Sequence, residues 1–405
     1  MAGHVLVIGA GLAGVSTCGA LRAAGHDGRL TLIGAEPGPP YDRPPLSKAF
    51  LTAQTDDAAI ALQPPSWYAD QEIDLLTGTP VAGIDAESGR VQLADGTGLT
   101  ADVMVLATGG TARQMPGIPH KHAGVHLLRT RADAIRLRAA LGPGTRLLVI
   151  GAGLIGAEVT ASATVIGCRV TLVDPNATPL AAVIGPHAAE ALRLQHLRHG
   201  VRLVHGTCTA LEPAANGPLR ATLSTGEVID VDHVLVGIGI RPDTALAETA
   251  GLAVDNGILV DERQRTASPR VYAVGDAART LGPHGPLPRT EHWDNARRTA
   301  ELAARAILGL TPPPPKAPWF WTDRYGTHLE MTGHYDPLAQ EIIRGDLTGE
   351  DGGTLVYHRD GLCVGAVTLD RPLDIRAIQR IIDRGRRPTA AQLADPAVEL
   401  RDLAR

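Results

Sequence analysis

Two copies of one phosphate-cradling pattern constrain this chain more than anything else in it. Val5-Leu6-Val7-Ile8 runs into Gly9-Ala10-Gly11-Leu12-Ala13-Gly14, and Leu147-Leu148-Val149-Ile150 runs into Gly151-Ala152-Gly153-Leu154-Ile155-Gly156. Each is a short apolar run, readable as a buried parallel strand, that enters GxGxxG and continues into an Ala-rich helical stretch. Glycines at that spacing permit a tight turn, close backbone approach to a pyrophosphate and close helix–strand packing. The helix beyond offers free N–H groups and the positive end of its dipole to the phosphates. One GxGxxG is weak evidence; two, each in strand–turn–helix context, predict two dinucleotide-binding domains.

An acid completes each fingerprint. Arg29-Leu30-Thr31-Leu32-Ile33 reads as a strand followed by Glu36, and Arg169-Val170-Thr171-Leu172-Val173 as a strand ending in Asp174. A carboxylate there accepts hydrogen bonds from adenosine ribose hydroxyls. Pro175-Asn176-Ala177 supplies no arginine for a 2′-phosphate, and Asp174 would repel one, so the expected nicotinamide cofactor is NADH. The repetition extends further. Arg90–Gly96 turns back toward Asp102–Gly110, and Leu219–Gly226 toward Asp232–Gly239, alternating strands about a Gly-containing turn leading to a Gly-rich exit in both. The chain therefore reads as an internal duplication. Two dinucleotides in one chain imply electron traffic between them. Val271-Tyr272-Ala273-Val274-Gly275-Asp276-Ala277 assigns the flavin to the first site: it reads as a strand ending in Gly-Asp at a helix start, where Asp276 can accept from a ribityl hydroxyl.

At these residues the chain resembles the FAD-dependent pyridine-nucleotide reductases of glutathione-reductase-like fold. Within them it is similar to the oxygenase-coupled ferredoxin reductases, relatives of putidaredoxin reductase and of biphenyl dioxygenase reductases. The resemblance covers essentially the whole chain. Its most specific blocks are Pro40-Tyr41-Asp42-Arg43-Pro44-Pro45-Leu46-Ser47-Lys48, Glu291-His292-Trp293-Asp294-Asn295-Ala296 and Pro318-Trp319-Phe320-Trp321-Thr322-Asp323-Arg324-Tyr325. The expected fold class is α/β: two Rossmann-type dinucleotide-binding domains plus a small α+β C-terminal domain. Residues 1–112 and 240–315 are expected to bind FAD and 113–239 NADH. The Pro312–Pro315 run reads as a stiff linker to the C-terminal reductase domain, 316–405.

The resemblance implies an FAD site of Gly9, Gly11, Ala13, Gly14, Glu36, Arg43, Lys48, Val81, Ala107, Thr108, Gly109, Arg129, Gly275, Asp276, Trp293 and Trp321. For NADH it implies Gly151, Gly153, Leu154, Ile155, Gly156, Asp174, Gly237, Ile238 and Gly239. Lysine is used only at Lys48, Lys121 and Lys316 in a chain rich in arginine. Lys48 in its motif therefore reads as a call for a compact point charge. The resemblance places Lys48 beside flavin N5, paired with Glu158 at the start of the second glycine-turn helix, and makes these the catalytic pair. Trp321 would line the exit face toward a partner. NADH would deliver a hydride to flavin N5, and the flavin would release electrons singly.

Cysteine usage points away from thiol chemistry. Cys18, Cys168, Cys208 and Cys363 are isolated, with neither a redox pair nor a cluster-ligating set, and no metal site is expected. The one-electron acceptor must then be another protein. The expected partner is a small iron–sulfur ferredoxin (two-iron, Rieske-type or rubredoxin, left open) that feeds a haem monooxygenase or Rieske dioxygenase. Arg297 and Arg298, read as beginning a helix after the Trp293 motif, are candidate docking residues with Trp321; Arg380, Arg384, Arg386 and Arg387 crowd the C-terminal domain. A net charge of −5 argues against nucleic acid and anionic membranes as partners, and no apolar run spans a bilayer. A first strand at residue 4 or 5 leaves no room for a signal peptide, so a cytoplasmic monomer or weak dimer is expected. Two rival readings remain open: an NADH oxidase, and an NADH-sensing scaffold resembling apoptosis-inducing factor.

Overall fold

The computed structural model describes residues 3–213, 218–349 and 351–405. It divides into two compact units. Met1–Asp42, Asp56–Thr111 and Ile240–Pro314 form the first; Arg43–Thr55, Ala112–Gly239 and Pro315–Arg405 form the second.

The first unit is built on a five-stranded parallel sheet in the order Val271–Ala273, Val103–Leu106, His4–Ile8, Arg29–Ile33, Ile73–Leu76. Val5 stands opposite both Leu30 and Val103. Both faces are covered, which is why the central strand is apolar throughout rather than alternating. Val5, Val7, Leu30 and Leu32 pack with Val15, Cys18 and Leu21 of the helix Leu12–Ala23 and with Ala303 and Ala304 of the helix Trp293–Ile307. Leu6, Ile8, Met104 and Leu106 face Val91 and Leu93 of a three-stranded antiparallel sheet, Val81–Ile84, Arg90–Leu93 and Gly98–Thr100. Full burial of each such side chain contributes about 1.5–3 kcal/mol. The glycine turn is fitted tightly to this sheet. A Cβ at Gly14 would stand 1.9 Å from the Gly9 carbonyl oxygen, and one at Gly9, where φ is +110°, 2.1 Å from that of Ala107.

The second unit repeats the plan. Its parallel sheet runs Arg202–His205, Arg169–Asp174, Arg146–Ile150, His233–Val236, Val125–His126, and a three-stranded antiparallel sheet follows from Cys208–Pro213, Leu219–Leu223 and Val228–Val231. The C-terminal segment adds a five-stranded antiparallel sheet in the order Trp319–Arg324, Thr327–Gly333, Leu362–Leu369, Gly353–Arg359, Gln340–Gly345. One face is covered by Ile375, Ile378 and Ile381 of the helix Pro372–Asp383. The other carries Phe320, Leu329, Met331 and Tyr357 onto Ile184, Ala188 and Leu192, so the C-terminal sheet and the second Rossmann segment share one core. Arg43–Thr55, read from sequence as part of a continuous 1–112, belongs to this second compact unit.

Two buried histidines of the second unit make its stability acid-sensitive. His126 Nε2 lies 3.2 Å from His233 Nδ1, and burial, then the neighbouring His233, lowers the His126 pKa to about 4. Burial, then the Arg324 charge, lowers His196 to about 3. Both depart downward from an ordinary 6.5, so the folded chain binds fewer protons than the unfolded one between those values. The stability is fully present above pH 6.5 and is lost as pH falls toward 4 and 3, on the order of 3 kcal/mol for His126 and about 5 kcal/mol for His196. Urea unfolding at stepped pH should therefore be less steep between pH 6 and about 4 in His126→Gln than in the parent; parallel curves would contradict the assignment.

Candidate active site

Pro44–Ser47 forms one 3-10 turn in the second unit, its prolines presetting φ, and the chain leaves it at Lys48. Lys48 Nζ lies 3.1 Å from Glu158 Oε1 and 3.4 Å from Asp323 Oδ2. Glu158 projects from the helix Leu154–Ile166 and is only 4% exposed. Besides Lys48 it accepts hydrogen bonds from Ser47 Oγ at 2.5 Å and Thr322 Oγ1 at 2.8 Å. Ser162, one helical turn further on, donates to the Ser47 carbonyl at 2.7 Å and fixes the turn against the helix. A buried carboxylate is costly unless paired and hydrogen-bonded. Here two hydroxyls and an ammonium compensate it, and in return it pins the lysine.

Above this pair lies a stack of aromatic faces. Trp321 has the Lys48 ammonium 5.7 Å from its ring centroid, and Trp319 stacks on Trp321 with centroids 5.0 Å apart and planes 23° off parallel. The hairpin register explains the grouping: Asp323 pairs with His328 and Trp321 with Glu330, so alternate residues of both strands share one face. His328 Nδ1 is 2.5 Å from Asp323 Oδ1, and Trp319 Nε1 donates to Glu330 Oε1 at 3.0 Å. Burial pushes the Glu330 carboxyl above its usual range, an effect the His328 charge opposes.

The second glycine turn is prepared for an anion. The helix Leu154–Ile166 has no side-chain cap and no acid in its first turn, so its terminal N–H groups remain for a ligand. Gly153 is extended, with φ −65° and ψ −173°, and a Cβ there would meet nothing within 4 Å. Alanine would suit both that backbone and that space, and the missing methyl leaves room through which a pyrophosphate could pass. Asp174 accepts from Ala152 N at 2.8 Å, Asn176 N at 2.8 Å and Asn176 Nδ2 at 3.0 Å, and a carboxylate's remaining lone-pair direction suits a ribose hydroxyl. Gly237, Ile238 and Gly239 follow the strand His233–Val236, with the Gly237 carbonyl 2.5 Å from where a Gly151 Cβ would stand.

The first turn is prepared in the same way. The helix Leu12–Ala23 is uncapped by side chains, and Gly11, at φ −79° and ψ −172°, faces open space. Tyr41 donates to Glu36 at 2.6 Å; Thr108 Oγ1 donates to the Asp243 carbonyl at 2.6 Å, and the Asp243 N–H to Gly109 at 2.9 Å. Gly275 donates to Thr299 Oγ1 at 2.9 Å and sits so close to Ala13 that a Cβ on it would be 2.8 Å from the Ala13 methyl. Trp293 Nε1 donates to Asp42 at 3.0 Å, and the Arg297 guanidinium lies 5.0 Å from the Trp293 ring centroid.

The expected flavin residues thus fall into two sets. Gly9, Gly11, Ala13, Gly14, Glu36, Val81, Ala107, Thr108, Gly109, Gly275, Asp276 and Trp293 lie in the first unit. Arg43, Lys48, Arg129 and Trp321 lie in the second, where Arg43 donates to the Arg129 carbonyl. All nine expected NADH residues lie in the second unit. Two expectations are corrected. Gly275–Ala277 is a single 3-10 turn followed by the strand Ala278–Gly282, not the start of an α-helix, so no helix dipole acts at Asp276. Ala278, Arg279 and Thr280 are instead taken up in a parallel ladder with Ile258–Val260. Arg297 and Arg298 also sit in the second turn of Trp293–Ile307 rather than at its start. Sequence reading missed Ser47, Thr322, Asp323 and Asp42, although all four stand inside the quoted motifs. A hydroxyl or acid beside an assigned residue was the available signal.

Comparison with known proteins places the chain in a family of matching fold. Residues 3–300 match the model described as pyridine nucleotide-disulphide oxidoreductase, and residues 319–404 that described as reductase C-terminal. The chain is 36% identical to rhodocoxin reductase of Rhodococcus erythropolis, over 98% of this chain and 93% of that one. It is 37% identical to the ferredoxin–NAD(+) reductase component of the anthranilate 1,2-dioxygenase system of Burkholderia cepacia, over 98% of each. Its structure is similar to that of the covalent putidaredoxin reductase–putidaredoxin complex, with a TM-score of 0.93 and 34% identity over 99% of this chain and 97% of that one.

Proposed function

This chain belongs to the pyridine nucleotide-disulphide oxidoreductase family, and we propose that within it the protein carries electrons from NADH, through FAD, to a small iron–sulfur ferredoxin serving an oxygenase. It is an oxidoreductase of the ferredoxin–NAD(+) reductase kind, with FAD and NADH as cofactors. The observation that carries this reading is the pair of uncapped glycine turns, each with an open cradle at its second glycine. Gly9, Gly11 and Gly14 hold the FAD pyrophosphate, with Glu36 on its ribose. Gly151, Gly153 and Gly156 hold that of NADH, with Asp174 on its ribose. In this reading 1–112 and 240–315 serve FAD, 113–239 NADH and 316–405 the reductase C-terminal part, with Arg43–Thr55 of the first stretch packed in the second compact unit.

When bound, FAD accepts two electrons from NADH and passes them on one at a time. The chain's own residues supply position and charge. Glu158 and Asp323 hold the Lys48 ammonium in place, so a fixed positive charge would be available, without reorganisation, to negative charge developing on a bound flavin. Trp321 offers a flat apolar face on the side from which electrons leave, and Arg297 and Arg298 add positive charge for an acidic partner. The protein works as a monomer or weak dimer in the cytoplasm; among the described residues no helix is long and apolar enough to cross a membrane.

Anaerobic titration tests the cofactor reading: about one equivalent of NADH should bleach the bound flavin, and NADPH at the same concentration should react far more slowly. Equal rates would contradict the role of Asp174. Trp321→Ala should lower electron transfer to ferredoxin by about tenfold or more, while flavin reduction by NADH stays within about twofold of the parent. A defect confined to NADH binding would remove Trp321 from the exit face.

A further inference from the structure

Six side chains of the second unit close into a ring. Asp323 divides its two oxygens, Oδ2 lying 3.4 Å from Lys48 Nζ and Oδ1 2.5 Å from His328 Nδ1. The other imidazole nitrogen, Nε2, stands 3.7 Å from Glu330 Oε2, and Glu330 Oε1 accepts from Trp319 Nε1 at 3.0 Å. Trp319 stacks on Trp321, and the Lys48 ammonium lies over the Trp321 ring. Glu330 is 6% exposed and its Oε2 has no hydrogen-bond partner, whereas His328 and Asp323 are partly exposed. A buried carboxylate oxygen therefore faces the imidazole of a side chain that solvent reaches.

An ionised aspartate only accepts, so His328 Nδ1 carries a hydrogen and Nε2 is the nitrogen that gains or loses one. With Nε2 bare and Glu330 ionised, two lone pairs face each other across 3.7 Å. One added proton removes that conflict, as an imidazolium beside a carboxylate or an imidazole facing a carboxylic acid. Burial pushes the Glu330 carboxyl above its usual range, which favours holding that proton. The other charges facing the pair come from three elements. Asp370 accepts the His328 backbone N–H at 2.8 Å, and Arg376 of the helix Pro372–Asp383 acts on Glu330. Lys48, which Glu158 shares, stands beyond Asp323. Negative charge gained beside Lys48 competes with Asp323 for the ammonium, and so raises the proton affinity of the His328–Glu330 pair.

We propose, on the reading that FAD binds beside Lys48, that His328 and Glu330 take up one proton from solvent when the flavin is reduced and release it when the electrons leave. The proton enters at His328 Nε2 and is shared with Glu330 Oε2. No covalent bond to substrate forms or breaks in this step, and the electrons are those the proposed NADH reaction supplies. The added positive charge reaches the flavin through Asp323 and Lys48, so His328 and Glu330 act as positioning residues for charge. Reduction becomes easier as pH falls, because proton and electron uptake are coupled reciprocally.

The test uses the flavin-loaded protein, with neither NADH nor ferredoxin present. The flavin potential is measured against a reference dye across the range in which histidine titrates, about pH 5 to 8. Its slope against pH counts the protons taken up per two electrons, and flavin absorbance shows that the cofactor is retained. The parent should take up roughly half a proton or more beyond His328→Gln over this range. Glu330→Gln keeps an oxygen for the Trp319 N–H but removes the acid, and should lower the slope as well. It supplies the reading if His328→Gln does not hold flavin. A purely structural role would change stability or flavin content and leave the slope alone. A flavin that titrates with the parent's slope in either variant overturns the proton uptake and leaves the FAD reading standing; a parent that retains no flavin overturns both.

Discussion

Lys48→Met is expected to slow flavin reduction by NADH by about a hundredfold or more while FAD remains bound. The expectation rests on how the lysine is held. Its ammonium bridges a buried carboxylate at 3.1 Å and a half-exposed one at 3.4 Å, so its position is set before any ligand arrives. Methionine keeps the length and apolar body of the side chain and removes the charge. Glu158 would keep its bonds from Ser47 and Thr322 but lose its cation. Removing one partner of a buried ion pair costs about 3–5 kcal/mol, so the variant should also melt earlier. The double variant Lys48→Met/Glu158→Gln separates the effects: it should regain most of the Tm and none of the rate. Stopped-flow absorbance of the flavin band reads the rate, and a single variant as fast as the parent would contradict the role given to Lys48.

The second large effect is a contrast between two glycines three residues apart. Gly156→Ala places a Cβ 1.9 Å from the Gly151 carbonyl oxygen, a collision between two parts of the backbone that no rotamer relieves. That variant should fail to accumulate as folded protein. Gly153→Ala meets nothing in the chain, so it should fold, retain its full flavin content and melt within a few degrees of the parent. Its methyl group projects into the space left for the pyrophosphate, and binding of NADH should weaken about tenfold or more. Unchanged NADH affinity in Gly153→Ala would show that the dinucleotide does not cross this turn.

Much of the architecture was legible because it rests on local signals that repeat. The runs Val5–Ile8 and Leu147–Ile150 are buried on both faces of parallel sheets, and only near-continuous apolar sequence satisfies that position. The glycines at 14 and 156 are fixed by the carbonyls of Gly9 and Gly151 within their own turns, so spacing alone announced them, whereas Gly9 and Gly151 are crowded by the distant carbonyls of Ala107 and Gly237. What sequence could not show was anything decided by distant packing. Arg43–Thr55 falls between two segments of the first unit along the chain, yet its turn is bonded to the helix Leu154–Ile166 through Ser47 and Ser162. Gly275–Asp276 reads as a helix start on turn chemistry, but the strand Ile258–Val260 offers the following residues a ladder, and tertiary pairing wins over local preference. Lys48 and Glu158 were paired through resemblance rather than by spacing. The residues that complete their network, Ser47, Thr322 and Asp323, become visible only when a 3-10 turn, a helix and an antiparallel hairpin meet.

The ferredoxin route is tested most directly by where electrons from NADH go. The measurement is to mix the purified flavoprotein with NADH in air and a putidaredoxin-type two-iron ferredoxin, counting electrons that reach the cluster against those appearing as peroxide. Fast turnover that depends on ferredoxin, with little peroxide, is the predicted result. Peroxide as the main product whichever ferredoxin is supplied, or slow turnover in both channels with a long-lived reduced flavin, would contradict it.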